Sequence, residues 1–456
     1  MKNNKNSRIQ LMTEGNVTKA LFKLGIPMVV SMLVIALYNV VDTYFVSGLG
    51  TSQVAAVAVA FPISLIFSGI GLTFGTGGGS YISRLLGAKE NKKANEVAST
   101  ALFSALIIGV IIVLLILVFL NPVLQFMGAT ETILPYARNY AIVFIISMLF
   151  STINVSTGNL VVAQGASNIT LSAMISGSVL NMILDPICIY SFNLGIRGAA
   201  IATLISQVVT TLIYLWFFSS KKSYIRIGLS NFKPSKTTYS QIIKIGISML
   251  LLQLLCSLSM SFIAKAASDY GDEAVAGIGI VLRIITLGTN VVFGFMKGLQ
   301  PMAGFNYGAK NYGRLREATQ ISMKLTTLFC IAWTIITFIF ANPVISLFSS
   351  DPKVIQIGEK ALRANTIMFF TFGFQFTYST LYLSLGRAIS GGLLNIGRQG
   401  IFFIPVILTL PSIFGLNGVI YSQAVADFLT TFVTIFFAFK FQKELNHLTE
   451  GNNIYN

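Results

Sequence analysis

The chain has 456 residues, of which 54% are hydrophobic and only 10% are charged. An average soluble domain carries roughly 25% charged residues, so this composition cannot cover a globular surface, and the chain reads as an integral membrane protein. A net charge of +16 would suggest nucleic acid on a soluble chain, but here the Lys and Arg cluster on one side of the apolar runs, and no nucleic-acid partner is expected.

The N-terminal stretch carries Lys2, Lys5, Arg8, Lys19 and Lys23. It lacks a short apolar core followed by a small-residue cleavage site, so the first helix is expected to stay as an anchor. Apolar runs bounded by charge, Gly, Pro or Asn predict spans 1 to 6 at 24–46, 54–82, 98–120, 139–162, 170–192 and 199–218. Spans 7 to 12 follow at 245–267, 275–297, 321–341, 364–385, 391–411 and 418–439, all placed to within several residues. Of the 31 Lys and Arg, 21 fall in alternate segments: the N-tail, 83–97, 219–244, 298–320, Arg387 and the C-tail. Only Arg138, Arg197, Lys353, Lys360 and Arg363 fall on the other side, while Lys265, Arg283, Lys297, Lys324 and Arg398 lie in or beside spans. The positive-inside rule then makes this a multi-pass cell-membrane protein with both termini cytoplasmic, which requires an even number of crossings.

The two sets of six spans repeat one pattern. Asn121-Pro122-Val123 recurs as Asn342-Pro343-Val344, and Gly87-Ala88-Lys89 as Gly308-Ala309-Lys310, both at an offset of 221. Gly50 with Gly271 and Gly165 with Gly386 keep that offset, and Gly195 with Gly198 recurs as Gly415 with Gly418 at 220. Several collinear anchors indicate an internal duplication, and six spans per copy give parallel repeats. The expected fold is all-α, with an N-terminal lobe at 1–218, a basic cytoplasmic linker at 219–244, and a C-terminal lobe with its tail at 245–456. Two similar bundles about an axis along the membrane normal suggest a midline cavity and alternating access, the architecture of a transporter.

A carboxylate at a helix centre costs roughly 2.5 to 3.5 kcal/mol on insertion scales, so Asp42, Asp185 and Asp427 each need a reason. Asp185 lies in LNMILDP, with Asn181 four residues earlier on the same face. Pro186 clashes with the carbonyl of Met182 and frees a backbone oxygen between the two side chains. Such a group suits a proton or a small hard cation such as sodium; the alternative is a kink whose polar groups satisfy one another. Asp42 follows Tyr38 by four residues and Asn39 by three, so the end of span 1 presents a polar face, or else sits at the membrane interface. If spans 1 and 5 pack together, the two carboxylates form a proton-sensitive pair. Asp427 occupies the position of Gln207 in the first copy and reads as a polar helix contact; Lys265 or Arg283 are possible partners for it, or for Asp269, Asp272 and Glu273.

Other chemistries lack their parts. There is no GxxxxGK[ST] loop for ATP, no GxSxG, and His447 is the only histidine, so no enzyme and no cofactor is expected. Cys188, Cys256 and Cys330 lie far apart in apolar runs and read as packing residues. Gly75, Gly77, Gly78 and Gly79 sit inside span 2 and read as close helix packing or local unwinding.

Pro27 in LGIP, Asp42 in VVDTYFVSGLG, the TGGGSYISRLLGAK segment and LNMILDP together resemble the multidrug and toxic compound extrusion (MATE) family, in particular its MepA-like exporters, over essentially the whole chain. The resemblance implies twelve helices in two lobes and antiport of organic, often cationic, amphiphilic compounds against protons or sodium. It implies a cation site at Asp42, Asn181 and Asp185, with Thr203 as a fourth member, and bending of span 1 at Pro27. Tyr38, on the face of Asp42, and Pro186 are grouped with this site. Some members carry carboxylates in spans 7 and 10, but 245–267 and 364–385 contain neither Asp nor Glu, which leaves the N-lobe pair as the coupling candidate. Val162 stands where the family often has a basic residue. The expected partners are small organic cations and the lipid bilayer, with no obligate protein partner. The rivals are a flippase for a lipid-linked precursor, which would line its cavity with Arg and Lys, and a membrane enzyme acting on lipid through Asp42 and Asp185.

Overall fold

The computed structural model describes residues 2–220 and 222–454 and is helical throughout those segments apart from turns and the linker. After a short helix, Lys2–Thr13, Asn16 caps span 1 by accepting from the backbone N–H of Lys19 at 3.0 Å. Span 1 is one helix, Val17–Ser47, uninterrupted at Pro27. Spans 2 to 6 are Thr51–Gly87, Asn91–Val118, Leu134–Ala163, Ser167–Pro186 and Gly195–Ser219. Spans 7, 8, 9 and 12 are Lys236–Ser268, Asp272–Gly308, Tyr312–Ile339 and Leu416–Ile454.

Eleven helices among the described residues are long and apolar enough to cross a membrane. The remaining crossing, span 10, is broken: Pro352–Ile367 and Phe372–Ser384 are joined by a 3-10 turn at Phe369–Thr371. Its first half starts twelve residues before the expected 364, at an Asp351 cap that accepts from Lys353 N at 2.8 Å and with Pro352 at the first helical position. Lys353, Glu359, Lys360 and Arg363 interrupt the apolar signal there, so hydropathy locates only the second half. Spans 5 and 11 each carry a π turn, at Ile187–Ser191 directly after Pro186, where a disturbed helix is expected, and at Gly397–Ile401 between Ala388–Ile396 and Phe403–Phe414.

The duplication is visible in the backbone. Gly50 and Gly271 share a left-handed turn, with φ of 117° and 97°, and Lys89 and Lys310 share another at 62° and 57°. At Lys89 and Lys310 the next residue donates back to close the helix end, Glu90 N to Leu85 O at 2.9 Å and Asn311 N to Asn306 O at 2.8 Å. Side chains repeat as well. Asn154 of span 4 donates to Gln207 O of span 6 at 2.9 Å, and Gln375 of span 10 donates to Asp427 O of span 12 at 2.9 Å.

The lobes meet through glycine. A Cβ on Gly298 would lie 2.6 Å from Gly25 Cα, and one on Gly294 would lie 2.6 Å from Val29 Cα, so spans 8 and 1 touch backbone to backbone. The repeat-related crossing joins spans 2 and 7, where Gly77 abuts the Ile242 carbonyl and Gly246 the Thr73 carbonyl. Spans 2 and 8 cross at their ends, Gly87 against the Phe305 carbonyl and Gly308 against that of Arg84. Small residues permit this approach, and membrane helices gain van der Waals contact from it. Ser80 Oγ donates across the seam to Leu383 O at 2.6 Å, and Arg314 Nε donates to Met12 O at 2.8 Å. The apolar core at this basic end draws on both lobes, including Leu21, Leu86, Ile242, Leu299 and Phe305. Toward the other end the core divides into one cluster with Ile63, Phe67 and Phe144 and another with Ile263, Ile345 and Phe403, each from one lobe. The molecule is therefore closed where the basic loops lie and divided at the opposite face.

Candidate functional site

Spans 1, 5 and 6 pack side by side in the first lobe and bring together residues far apart in the chain. Asp185 is fully buried, Asn181 and Thr203 are buried, and Asp42 and Tyr38 are half-buried. The Asp42 and Asp185 carboxyl groups lie beside one another. In the amide orientation that satisfies both neighbours, Asn181 donates to Asp185 Oδ2 at 3.0 Å and accepts from Thr203 N at 3.1 Å. Thr203 Oγ1 donates to Ala199 O at 3.0 Å, and the Tyr38 side chain lies beside it. All five residues predicted from sequence thus form one cluster.

Asp185 Oδ1 is the informative atom. It is buried and receives no hydrogen bond from a protein donor. Two carboxyl groups in contact within an apolar bundle cannot both persist as bare anions, so the geometry requires a proton shared between them or a cation beside them. Among the described residues no group of three or more His, Cys, Asp and Glu is positioned for a metal ion. Neutral oxygens would have to complete a cation shell, and the Asn181 carbonyl is already engaged by Thr203 N. Tyr140 of span 4, buried and stacked on Phe144 with ring centroids 4.8 Å apart, adjoins Asp42, Tyr38 and Asp185 electrostatically. Sequence reasoning missed it, because its i, i+4 pairing with Phe144 reads as aromatic packing.

The helix-bending candidates lie elsewhere. Pro27 is buried between Gly25 and Met28, at the crossing of spans 1 and 8, and its carbonyl accepts from Ser31 Oγ at 2.8 Å. Pro186 ends the regular part of span 5 one residue after Asp185.

In the second lobe the buried carboxylate is neutralised. Arg398, on the π turn of span 11, holds Asp427 bidentately at 2.7 and 3.1 Å, and Gln423 donates to the same carboxylate at 2.9 Å. The guanidinium also lies 4.6 Å from the Phe372 ring centroid. Lys265 and Arg283, considered as partners from sequence, are exposed and do not make this contact; Arg398 takes the place because its π turn faces span 12.

The MatE family model matches residues 27–187 and 245–409, one segment per lobe. The chain is 28% identical to Multidrug export protein MepA of Staphylococcus haemolyticus, over 97% of each chain, and 28% identical to that of Staphylococcus aureus, over 98% of this chain and 100% of the relative. Among solved structures, a MATE family multidrug resistance transporter in an outward-facing conformation superposes with a TM-score of 0.90 at 29% identity, over 97% of this chain and 98% of that one. A transporter from Pyrococcus furiosus, described as having a binding pocket of reverse polarity, superposes at 0.89 with 29% identity, over 97% and 98%. With both halves of the duplication matched and the match running nearly end to end, the chain belongs to the MatE family of multi-pass membrane transporters.

Proposed function

We propose that the protein exports organic, chiefly cationic amphiphilic compounds by antiport against protons, with the Asp42–Asp185 pair as the coupling centre. The observation that carries this reading is the buried Asp185 carboxyl, whose Oδ1 has no protein donor and which lies beside a second carboxyl, that of Asp42. Engagement of Asn181 on both sides supports a proton over sodium, because its amide presents a donor to Asp185 and keeps its oxygen turned away.

Span 1 connects the pair to the seam between the lobes. It carries Asp42 toward one end and, toward the other, Gly25 and Val29, which meet Gly298 and Gly294. Uptake or loss of a proton at the pair changes how span 1 sits against span 5, and Pro27, which lacks the N–H that would tie it to Lys23, makes that helix yield near the seam. In the alternating-access cycle residues 1–218 and 245–456 rock as bodies about the linker 219–244, with both termini in the cytoplasm and the face opposite the basic loops turned outward. Coupling requires the proton to bind the two openings with different affinity; one pH unit then supplies about 1.4 kcal/mol per proton, a tenfold substrate gradient. A flippase for a pyrophosphate-linked lipid would need several unpaired cations in the cleft, and Arg398 is already held by Asp427.

The test is dye efflux from proteoliposomes with proton and sodium gradients imposed separately. Efflux is expected to follow the proton gradient and to vanish in Asp185→Asn with the protein inserted and folded. Efflux that follows only sodium, or that persists in Asp185→Asn, would sink the assignment.

A further inference from the structure

Span 8 carries a lysine that the coupling reading leaves unused. Gly294 and Gly298 face span 1, which sets the rotation of the helix. Phe293 packs on Phe372 and Phe376 of span 10, with ring centroids 5.9 and 4.3 Å away, and Gln300 Nε2 donates to Thr76 O of span 2 at 3.5 Å. Lys297 lies one turn from each and so emerges between the lobes, opposite span 2. At the repeat offset of 221 its counterpart is Thr76, so the two residues flank the axis that relates the copies.

A stripe of accessibility runs along this face. Thr286 is exposed and Asn290, Phe293, Lys297 and Gln300 are half-buried, while Val292, Gly294, Phe295, Met296, Gly298 and Leu299 between them are buried. The accessible positions recur at helical spacing and share one face of span 8, the face that meets span 10 at Phe293 and span 2 at Gln300. From span 1 onward the other half-buried basic groups among the described residues are spoken for: Arg398 by Asp427, Arg387 by Glu444, Arg363 by Glu359, Arg314 by Met12 O and Leu11 O, and Arg84 by Ser80 O, Leu385 O and Gln241. Among the described residues no hydrogen bond or ion pair is made by Lys297. An ammonium held in an apolar bundle without a partner is costly, and the cost is recovered when an anion enters beside it.

We infer that Lys297 receives the anionic group of a transported aromatic compound whose ring lies on Phe293 and Phe376, and so decides how well the exporter takes an acid relative to its ester. The inference rests on the export reading above, and names Lys297 as the residue that sets specificity for the acid. The ammonium supplies a point charge to the carboxylate; the aromatic pair supplies an apolar platform one helical turn away.

A matched pair of dyes tests it: rhodamine 110, which carries a free carboxylate, and its methyl ester, rhodamine 123. Binding to purified full-length protein is followed by fluorescence polarisation and efflux in proteoliposomes under a proton gradient, for wild type, Lys297→Met and Lys297→Arg. Lys297→Met is expected to weaken binding of the acid about tenfold, the scale of one lost charge-assisted hydrogen bond, and to leave the ester unchanged; Lys297→Arg should restore most of the loss. Retained ester binding shows that the variant is folded. An equal loss for both dyes, or no loss for the acid, overturns the inference. Wild type that exports the ester and does not bind the acid overturns it while leaving the export reading intact; wild type that handles neither dye counts against both.

Discussion

Substituting Gly298 by alanine tests the seam between the lobes. The new Cβ would stand 2.6 Å from Gly25 Cα and N, and backbone there has no rotamer by which to move aside. Reaching an ordinary contact of 3.4 Å requires spans 1 and 8 to part by 0.8 Å. Overpacking of this kind costs about 1 to 3 kcal/mol, and because the contact exists only while the basic side is closed, the penalty falls on that state alone. At about 1.4 kcal/mol per factor of ten, the balance moves toward opening on the basic side by roughly five-fold to more than a hundred-fold. The assay is maleimide labelling of a cysteine placed at Ser80, which is fully buried in the seam, after Cys188, Cys256 and Cys330 are replaced by alanine. Labelling from the basic side should accelerate, and proton-driven efflux should fall. Gly279→Ala is the control, since nothing lies within 4 Å of a Cβ there. If Gly298→Ala labels and transports no differently from Gly279→Ala, the seam is not the closed gate described above.

Other consequences follow from the two buried carboxylate sites. Asp427→Leu strands Arg398 and should lower the thermal unfolding temperature in detergent, by an amount equivalent to about 3 to 5 kcal/mol, whereas the double variant with Arg398→Met should regain most of it. Asn181→Leu removes the donor to Asp185 Oδ2 and should abolish proton-driven efflux at unchanged expression, while Asn181→Asp, which adds a third carboxyl, should make efflux respond to sodium. Tyr140→Phe keeps the stacking on Phe144 and removes only the hydroxyl; a shift in the pH profile of efflux without loss of stability would show that Tyr140 acts on the acid pair, and an unchanged profile would assign it to packing.

How much of this was legible depended on whether the signal was local. Membrane spans follow from hydrophobic runs, and the duplication from anchors at one offset, because both are written along the chain. Asn181 and Asp185 share a helix face by spacing alone, and two carboxylates in apolar helices demand a reason wherever they sit, so most of the site was visible. Contact between Asp42 and Asp185 was not, since it depends on how span 1 lies against span 5. Tyr140 was hidden for the same reason, its partners being on other helices. Arg398 escaped pairing with Asp427 because a π turn rotates the helix at that point, and no residue pattern in GRQGI announces one. The early start of span 10 was masked by its charges, although Asp351-Pro352 is a helix-start signal that a reading by caps would have caught.

The Arg398–Asp427 pair has an electrical consequence. With its carboxylate neutralised in place, the second lobe has no acid left to take up or release a proton, so on the proposed reading the first copy would sense the gradient and the second would not. If the pair couples transport to protons as proposed, a single carboxyl pair would limit each cycle to one or two of them. One proton exchanged for one monovalent cation moves no net charge across the membrane, whereas one proton exchanged for a zwitterion does. The same protein would then ignore the membrane voltage for some cargoes and draw on it for others, with the cargo itself setting which force is used.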